Sequence, residues 1–314
     1  MSSIPKRKFL QWSLAATAAA ALAACGGSDD HEPATTVVSV AQGDPQFSIL
    51  VEALVAADLV GTLQGPGPFT VFAPTNAAFA SLLTELGVTK EALLANKPLL
   101  TAVLTYHVLP GRVPASAVPL GQPLTTVQGG IFKIENAGGL KVTDGRNRVT
   151  GITATDIGAG NGVIHVVDRV LLPPNKDIVA TAQGAADLSI LVEAVVAADL
   201  VATLQGAGPF TVFAPTNAAF AALLSELGVT KEALLADKPL LTAVLTYHVV
   251  PGRVLRAAVP VGAPITTVQG QTFTVNAALQ ITDRRARVAA ITATDIFASN
   301  GVVHLIDKVI LPAA

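Results

Sequence analysis

The sequence predicts an α+β fold in two tandem copies, and three observations lead to this prediction. Residues 69–79 read FTVFAPTNAAF, and the same letters return at residues 210–220, 141 positions later. The flanks repeat as well, since residues 47–130 and 188–271 agree at roughly five positions in six, which indicates a duplicated domain. Within each copy helical patterns precede strand patterns, as expected for helices packed at one side of an antiparallel or mixed sheet.

The first copy occupies residues 37–173, and its first half is predicted to be helical. A short helix or turn at 37–42 is followed by a longer helix that begins near Asp44 and Pro45, because proline suits a first helical turn. Its apolar residues recur at i, i+3 and i+4 spacing, which predicts one buried face. Further helices are predicted at 76–86, 89–94 and 99–106.

The repeated stretch is predicted to be a strand that leads into a helix. Residues 69–73 alternate with the period of a strand, and Thr75 can cap a helix that starts at Asn76. A helix cap is the structural interpretation of these two residues and of Thr216 and Asn217 in the second copy. The functional alternative is a polar contact for a binding partner.

The second half of each copy has the composition of short strands, rich in Val, Ile and Thr and broken by Gly, Asn and Asp. In the first copy these runs lie at 125–128, 131–135, 140–143, 148–154 and 163–172. The second copy occupies residues 177–314. Only residues 174–176 join the copies, so a restricted geometry between them is expected.

The N-terminus has the layout of an export signal. Basic residues 6–8 precede an apolar run at 9–24 that is too short for a comfortable membrane span. The run ends in LAACG around Cys25, the one cysteine of the chain, and resembles a bacterial lipobox, in which this cysteine is acylated after residues 1–24 are removed. An ordinary secretory signal with a stray cysteine is the alternative. Residues 25–36 are predicted to form a flexible, acidic tether.

Composition and motifs argue against several classes of function. The formal net charge is −2, and loss of residues 1–24 moves it to about −5, because they include three basic and no acidic residues. Nucleic acid is therefore not a predicted partner, since phosphates require a basic face. Neither a Gly-x-Ser-x-Gly elbow nor a His-Glu-x-x-His motif is present, so the chain is not predicted to be an enzyme.

Four histidines recur at equivalent positions of the two copies. His107 follows Tyr106 and His248 follows Tyr247, and these four residues are predicted to be binding residues. A dyad of His107 with Asp168 is a further possibility. A metal site needs three or four converging ligands, so no metal is predicted. No other cofactor is predicted either.

His165 and His304 alternate with apolar residues along a strand. They are predicted to be core or sheet-edge histidines whose ring N–H groups are hydrogen-bonded. Arg112 and Arg253 each follow a Pro-Gly turn and are predicted to be exposed. Solvated charges are the default interpretation, and contact with acidic groups of a polysaccharide or protein is the alternative.

Three stretches together resemble the fasciclin (FAS1) domain family: residues 69–79, the Tyr-His pair at 106–107, and NGVIHVVD at 161–168. All three return in order in the second copy, and the resemblance covers nearly all of the chain after the export signal. It implies a wedge-shaped β-sandwich or mixed sheet with helices at one side, in which the first and third stretches are neighbouring core strands. It also implies extracellular adhesion or binding modules without a shared catalytic centre.

These features predict an exported, lipid-anchored protein of the bacterial cell envelope. The acylated Cys25 would hold it in the outer membrane or on the periplasmic face of a membrane. The two domains would then act in adhesion, through contact with an envelope protein, a polysaccharide or a matrix. The alternative is a carrier of a small ligand or metal, held in an apolar pocket that the Tyr-His segment lines.

Overall fold

Each domain begins with helices and ends with strands, which confirms the predicted α+β class. The structure is a computed structural model that describes residues 35–313, so the predictions for the export signal, for Cys25 and for most of the tether lie outside the described residues. The helices of domain 1 are α1 (Val37–Gln42), α2 (Ser48–Ala56), α3 (Val60–Gln64), α4 (Asn76–Leu86), α5 (Lys90–Ala95) and α6 (Lys97–Tyr106). Its strands are β1 (Phe69–Pro74), β2 (Val108–Pro110), β3 (Pro123–Thr125), β4 (Ile131–Asn136), β5 (Leu140–Thr143), β6 (Val149–Ala159) and β7 (Gly162–Val167).

Domain 2 repeats this order. Its helices are α7 (Ile178–Gln183), α8 (Ser189–Ala197), α9 (Val201–Leu204), α10 (Asn217–Leu227), α11 (Lys231–Ala236) and α12 (Lys238–Tyr247). Its strands are β8 (Phe210–Pro215), β9 (Val249–Pro251), β10 (Pro264–Thr266), β11 (Thr272–Val275), β12 (Gln280–Thr282), β13 (Val288–Ala298) and β14 (Gly301–Ile306). Within residues 35–313, no helix has the length and apolar character needed to cross a membrane.

A mixed seven-stranded sheet organises each domain, in the order β2-β1-β7-β6-β5-β4-β3 for domain 1. β1 and β7 pair in parallel and the other neighbours are antiparallel. The first and third family stretches are therefore adjacent strands, as the resemblance implies. β6 pairs with β5 through residues 149–151 and with β7 through residues 152–159, so this long strand connects the β3–β5 part of the sheet to the β1–β7 part. Its pairing register with β7 shifts on both sides of Ala154.

Two apolar cores lie on opposite faces of the central strands. Val71 and Ala73 of β1 pack into the core formed with the helices, whereas Phe72 between them packs into a second core that the outer strands enclose. In that second core Phe72 meets Phe132 edge-on, with ring centroids 5.1 Å apart. Both faces of β1 are buried because a strand alternates its side chains between the two cores.

The predicted helix at 76–86 is confirmed with both of its ends. The Thr75 side chain accepts a hydrogen bond from Ala78 N at 3.3 Å, and Gly87 takes the left-handed conformation that ends α4. The predicted strand at 163–172 is too long, since β7 ends at Val167. Leu171 and its neighbours are buried without strand pairing, so their apolar character reflects core packing.

Candidate functional site

The tyrosines of the two Tyr-His pairs tie helices to the sheet. Tyr106 and Tyr247 are fully buried, and their hydroxyls donate to Ile131 O at 2.5 Å and to Thr272 O at 2.9 Å. The Tyr106 ring also packs edge-on against Phe132. Burial raises the pKa of Tyr247 to about 12 and also raises that of Tyr106, so both hydroxyls stay protonated donors at neutral pH.

The neighbouring histidines are held as neutral rings inside the core. His107 Nδ1 lies 2.7 Å from Val103 O, and Nε2 lies 2.9 Å from Leu171 N. A backbone N–H can only donate, so Nε2 accepts and Nδ1 carries the proton. The His248 ring is held in the same way, at 2.7 and 3.1 Å. Burial lowers the pKa of each imidazole to about 4.

The strand histidines confirm the prediction of hydrogen-bonded core rings. His165 Nε2 donates to Val113 O at 2.9 Å, and its Nδ1 accepts from Asp156 N at 3.3 Å; His304 makes the equivalent pair of bonds. The suggested dyad with His107 is wrong, because Asp168 accepts from Gly151 N and both nitrogens of His107 are occupied by backbone groups.

Thr75 and Asn76 hold two helix starts together. Besides the cap made by Thr75, Asn76 Oδ1 accepts from Ile49 N at 3.0 Å, and its amide donates to Pro45 O and Ser48 Oγ, both at 3.0 Å. Thr216 and Asn217 repeat the arrangement in domain 2. These polar atoms, like those of the Tyr-His pairs, are engaged within each domain, and their role in binding stays a prediction.

The enclosed cavities beside the Tyr-His segments are small. The cavity next to His248 has a volume of about 30 Å³ and the one next to His107 about 20 Å³. Each has space for little more than one water molecule, whereas small-molecule sites measure roughly 300–1,000 Å³. Within the described residues, no group of three or more His, Cys, Asp and Glu side chains could hold a metal ion.

The two domains meet in a contact that is partly ionic. Lys133 Nζ lies 2.9 Å from Asp295 Oδ2 across the contact and 2.9 Å from Glu135 Oε1 of its own domain. The side chains of Lys133 and Asp295 are only 9% and 3% exposed. Burial alone would lower the pKa of Lys133, but the hydrogen bonds that its ammonium donates to the two carboxylates outweigh this effect and raise the pKa.

The rest of the contact is apolar and backbone-directed. Ile131 of domain 1 packs with Leu255, Phe297 and Val302 of domain 2 in one buried cluster. Beside it, Asn147 Oδ1 accepts from Phe297 N at 2.6 Å, and its amide donates to Phe297 O at 3.2 Å. One asparagine side chain therefore pairs with the edge of β13 as a neighbouring strand would.

Sequence reasoning missed this contact, although the duplication contains its signature. Five of the contact residues differ from their equivalents in the other copy, whereas Asp295 and Val302 have the same residue type in both copies. In domain 1, Ile131, Lys133 and Asn147 correspond to Thr272, Thr274 and Ala286, and in domain 2, Leu255 and Phe297 correspond to Pro114 and Gly158. Positions where the copies diverge could therefore have identified the facing surfaces.

The prediction for the two arginines is correct for one and wrong for the other. Arg112 is exposed and donates to Ala159 O at 2.7 Å. Arg253 is only partly exposed, and its Nε is buried without a hydrogen-bond partner among the described residues. Burial lowers the pKa of Arg253. Its segment is covered because it leads into the contact with domain 1 at Leu255.

Comparisons with known proteins agree with the duplicated pattern. The sequence profile of the Fasciclin domain matches residues 45–173 and 186–312. Protein sll1483 of Synechocystis sp. is 48% identical over 145 residues, which cover 46% of this chain and 76% of that protein. Immunogenic protein MPB70 of Mycobacterium bovis is 35% identical over 150 residues, which cover 44% of this chain and 69% of that protein.

A longer relative aligns with both domains. Transforming growth factor-beta-induced protein ig-h3 of Sus scrofa is 30% identical over 252 residues, which cover 80% of this chain but only 35% of ig-h3. A solved FAS1 domain pair from the insect cell adhesion molecule Fasciclin I is 16% identical, with a TM-score of 0.43, and covers 83% of this chain and 95% of that one. Because the fasciclin profile matches both repeats over most of the sequence, the chain belongs to the fasciclin (FAS1) domain family.

Proposed function

We propose that the chain is a lipid-anchored adhesion protein of the bacterial cell envelope that acts through contacts on the surface of its two fasciclin domains. One observation supports this proposal: the Tyr-His pairs, the strand histidines and the Thr-Asn pairs all form their hydrogen bonds within their own domains. The outer surface of the domains is therefore left to meet a partner. An envelope protein, a polysaccharide or a matrix is the proposed partner class.

Export and anchoring rest on the sequence around Cys25. An acylated cysteine would hold the domains at a membrane, with residues 26–36 as the tether. A Cys25→Ser variant tests this part directly. We expect it to leave the membrane fraction after signal cleavage, while the unaltered chain stays there. If the variant remains membrane-bound after cleavage, the lipid anchor is refuted.

Adhesion is tested by attachment of cells that lack the chain. We expect reduced attachment to surfaces or to other cells, restored by the unaltered chain and not by Cys25→Ser, because the variant is released from the envelope. Attachment that is unchanged under several growth conditions would contradict the proposal. Capture of partners from envelope extract with the purified chain then identifies the contact.

The fold also bears on the two alternatives. We propose that the chain has no catalytic centre, since each histidine of the Tyr-His pairs is a neutral, buried ring whose two nitrogens are occupied. A carrier role at the helix–sheet junction needs a pocket lined by the Tyr-His segment, and the cavities there are too small for a ligand of ordinary size. Calorimetry with metals and small ligands tests the carrier role.

A further inference from the structure

A cleft of about 400 Å³, here called the junction cleft, lies where the two domains and their linker meet. Arg146, in the turn between β5 and β6, lines it from domain 1. The linker residues Asn175 and Lys176, the helix α7 and the hairpin of β13 and β14 line the rest. Small-molecule sites measure roughly 300–1,000 Å³ and occur preferentially between domains, so this cleft has the size and place of such a site.

Arg146 contributes a positive charge to the cleft, and the carboxylates near it form ion pairs with another residue. It is half-buried, and its guanidinium stays charged at neutral pH. The two carboxylates whose charges act on Arg146, Asp144 and Glu85, both form ion pairs with Arg148. Among the ion pairs within residues 35–313, none involves Arg146.

Lys176 adds a second positive charge beside donors of hydrogen bonds. Its backbone carbonyl accepts from Ser299 N at 2.8 Å, which holds the linker against domain 2. Its ammonium lies close to Gly184, just after α7. Asn175 and Thr181 also line the cleft. In the described part of the chain, the lining of the cleft includes no Asp or Glu, so its charge is positive although the whole chain has a net charge of −2.

The floor of the junction cleft is apolar and held in place. The partly exposed Ile296 and Leu305 line it together with Leu188 and Phe297, which are each only 3% exposed. The paired hydrogen bonds from Asn147 fix the backbone of Phe297. A floor that is already ordered loses little conformational entropy when a ligand binds. The cleft therefore combines a cationic rim with a preformed apolar surface.

We propose that the junction cleft binds a small carboxylic acid whose body is about the size of one ring. The carboxylate lies against Arg146 and Lys176, because a guanidinium matches the two oxygens of a carboxylate. The ring packs on the apolar floor, where Ile296 and Leu305 are the accessible side chains, and Asn175 and Thr181 can bond to its substituents. This ligand site does not rest on the proposed adhesion, since binding to the purified chain can be measured without cells.

The experiment is titration of the purified chain by calorimetry or NMR with phenylacetate, glucuronate, glucose and inorganic phosphate. We expect saturable binding of at least one of the two acids, at one site per chain, and no saturable binding of glucose. Arg146→Gln and Lys176→Gln should each weaken binding about tenfold. Arg285→Gln is the matched control, because Arg285 is the equivalent of Arg146 but lies in domain 2, away from the linker.

The four compounds distinguish between kinds of carboxylic acid and include outcomes that would refute the proposal. Binding of phenylacetate alone indicates an aromatic acid, and binding of glucuronate alone indicates an acidic sugar. Absence of binding by both acids overturns the proposal. It is also overturned if phosphate binds as well as the acids, or if Arg285→Gln weakens binding as much as Arg146→Gln. Lys176 is exposed, so Lys176→Gln remains informative if Arg146→Gln unfolds.

Discussion

Lys133 of domain 1 and Asp295 of domain 2 form a buried ion pair at 2.9 Å, although 162 positions separate them in the sequence. Asp295 also accepts from Arg256 N at 2.7 Å. Asp156, its equivalent in domain 1, makes the corresponding bond to Ala115 N at 2.9 Å but is exposed. The same carboxylate is thus buried in one copy because the other domain covers it.

This pair predicts that Lys133→Met loosens the contact between the domains. Removal of one partner leaves the Asp295 carboxylate buried and uncompensated, which costs about 3–5 kcal/mol. We expect the free energy of unfolding in urea to fall by that order and the domains to unfold in separate steps. Lys141→Met is the control, because it removes the same charge from an exposed site in β5. Equal unfolding curves for the two variants would contradict the prediction.

The apolar part of the contact predicts that substitutions at equivalent positions of the two domains change stability by different amounts. Phe297→Ala removes a ring that is 3% exposed, and we expect a loss of about 3–5 kcal/mol. Gly158→Phe places the same ring at the equivalent position of domain 1, which is exposed and open, so we expect a change below about 0.5 kcal/mol. Thermal unfolding measures both. Similar changes in the two variants would argue against the contact.

The local parts of the fold could be predicted because their causes are local. Thr75 caps α4 and Gly87 ends it through bonds to residues within the same turns, so both ends of the helix followed from the sequence. The length of β7 could not be predicted in this way. Burial produces the same apolar run whether or not a strand partner is present, and Leu171 is buried after the strand has ended.

The candidate site was harder to predict than the fold. Tyr106 and His107 have side chains that are common in functional sites, but their hydrogen-bond partners Ile131 and Leu171 lie 25 and 64 positions away in the sequence. No local sequence pattern indicates that the polar atoms of these two side chains are already hydrogen-bonded. The contact between the domains was missed for a related reason. Divergence between copies marks Phe297 as unusual, and only the fold shows which surface of domain 1 it faces.

The buried imidazoles predict that stability falls on acidification. In the folded chain the pKa values of His107 and His248 are lowered to about 4, against about 6.5 for an exposed histidine. The unfolded chain therefore takes up protons that the folded chain excludes. Each histidine contributes about 3 kcal/mol above pH 6.5, and this contribution is lost as the pH falls toward 4. His304, whose pKa burial also lowers, acts in the same direction.

His107→Leu tests the source of this dependence. It leaves Val103 O and Leu171 N without their partner, so we expect it to be less stable at pH 7.5 by about 1–3 kcal/mol. Between pH 6 and 4.5 its stability should fall less steeply than that of the unaltered chain, by about 1.4 kcal/mol per pH unit. Urea unfolding across this pH range measures the slope, and His248→Leu should give the same change. An unaltered slope in both variants would show that other groups cause the acid sensitivity.

The hydrogen bonds of Asn76 predict that Asn76→Ala acts on stability. The substitution removes one accepted and two donated bonds that join the start of α4 to the start of α2 and to Pro45 before it, so we expect a loss of about 1–3 kcal/mol and the same from Asn217→Ala. Ser81→Ala is the control, since it removes one exposed bond and domain 2 has alanine at the equivalent position. Urea unfolding and cell attachment are measured together, under conditions where each variant is folded. Because the Asn76 amide is fully engaged, attachment per folded molecule should not change; reduced attachment at unaltered stability would instead show that Asn76 contacts the partner.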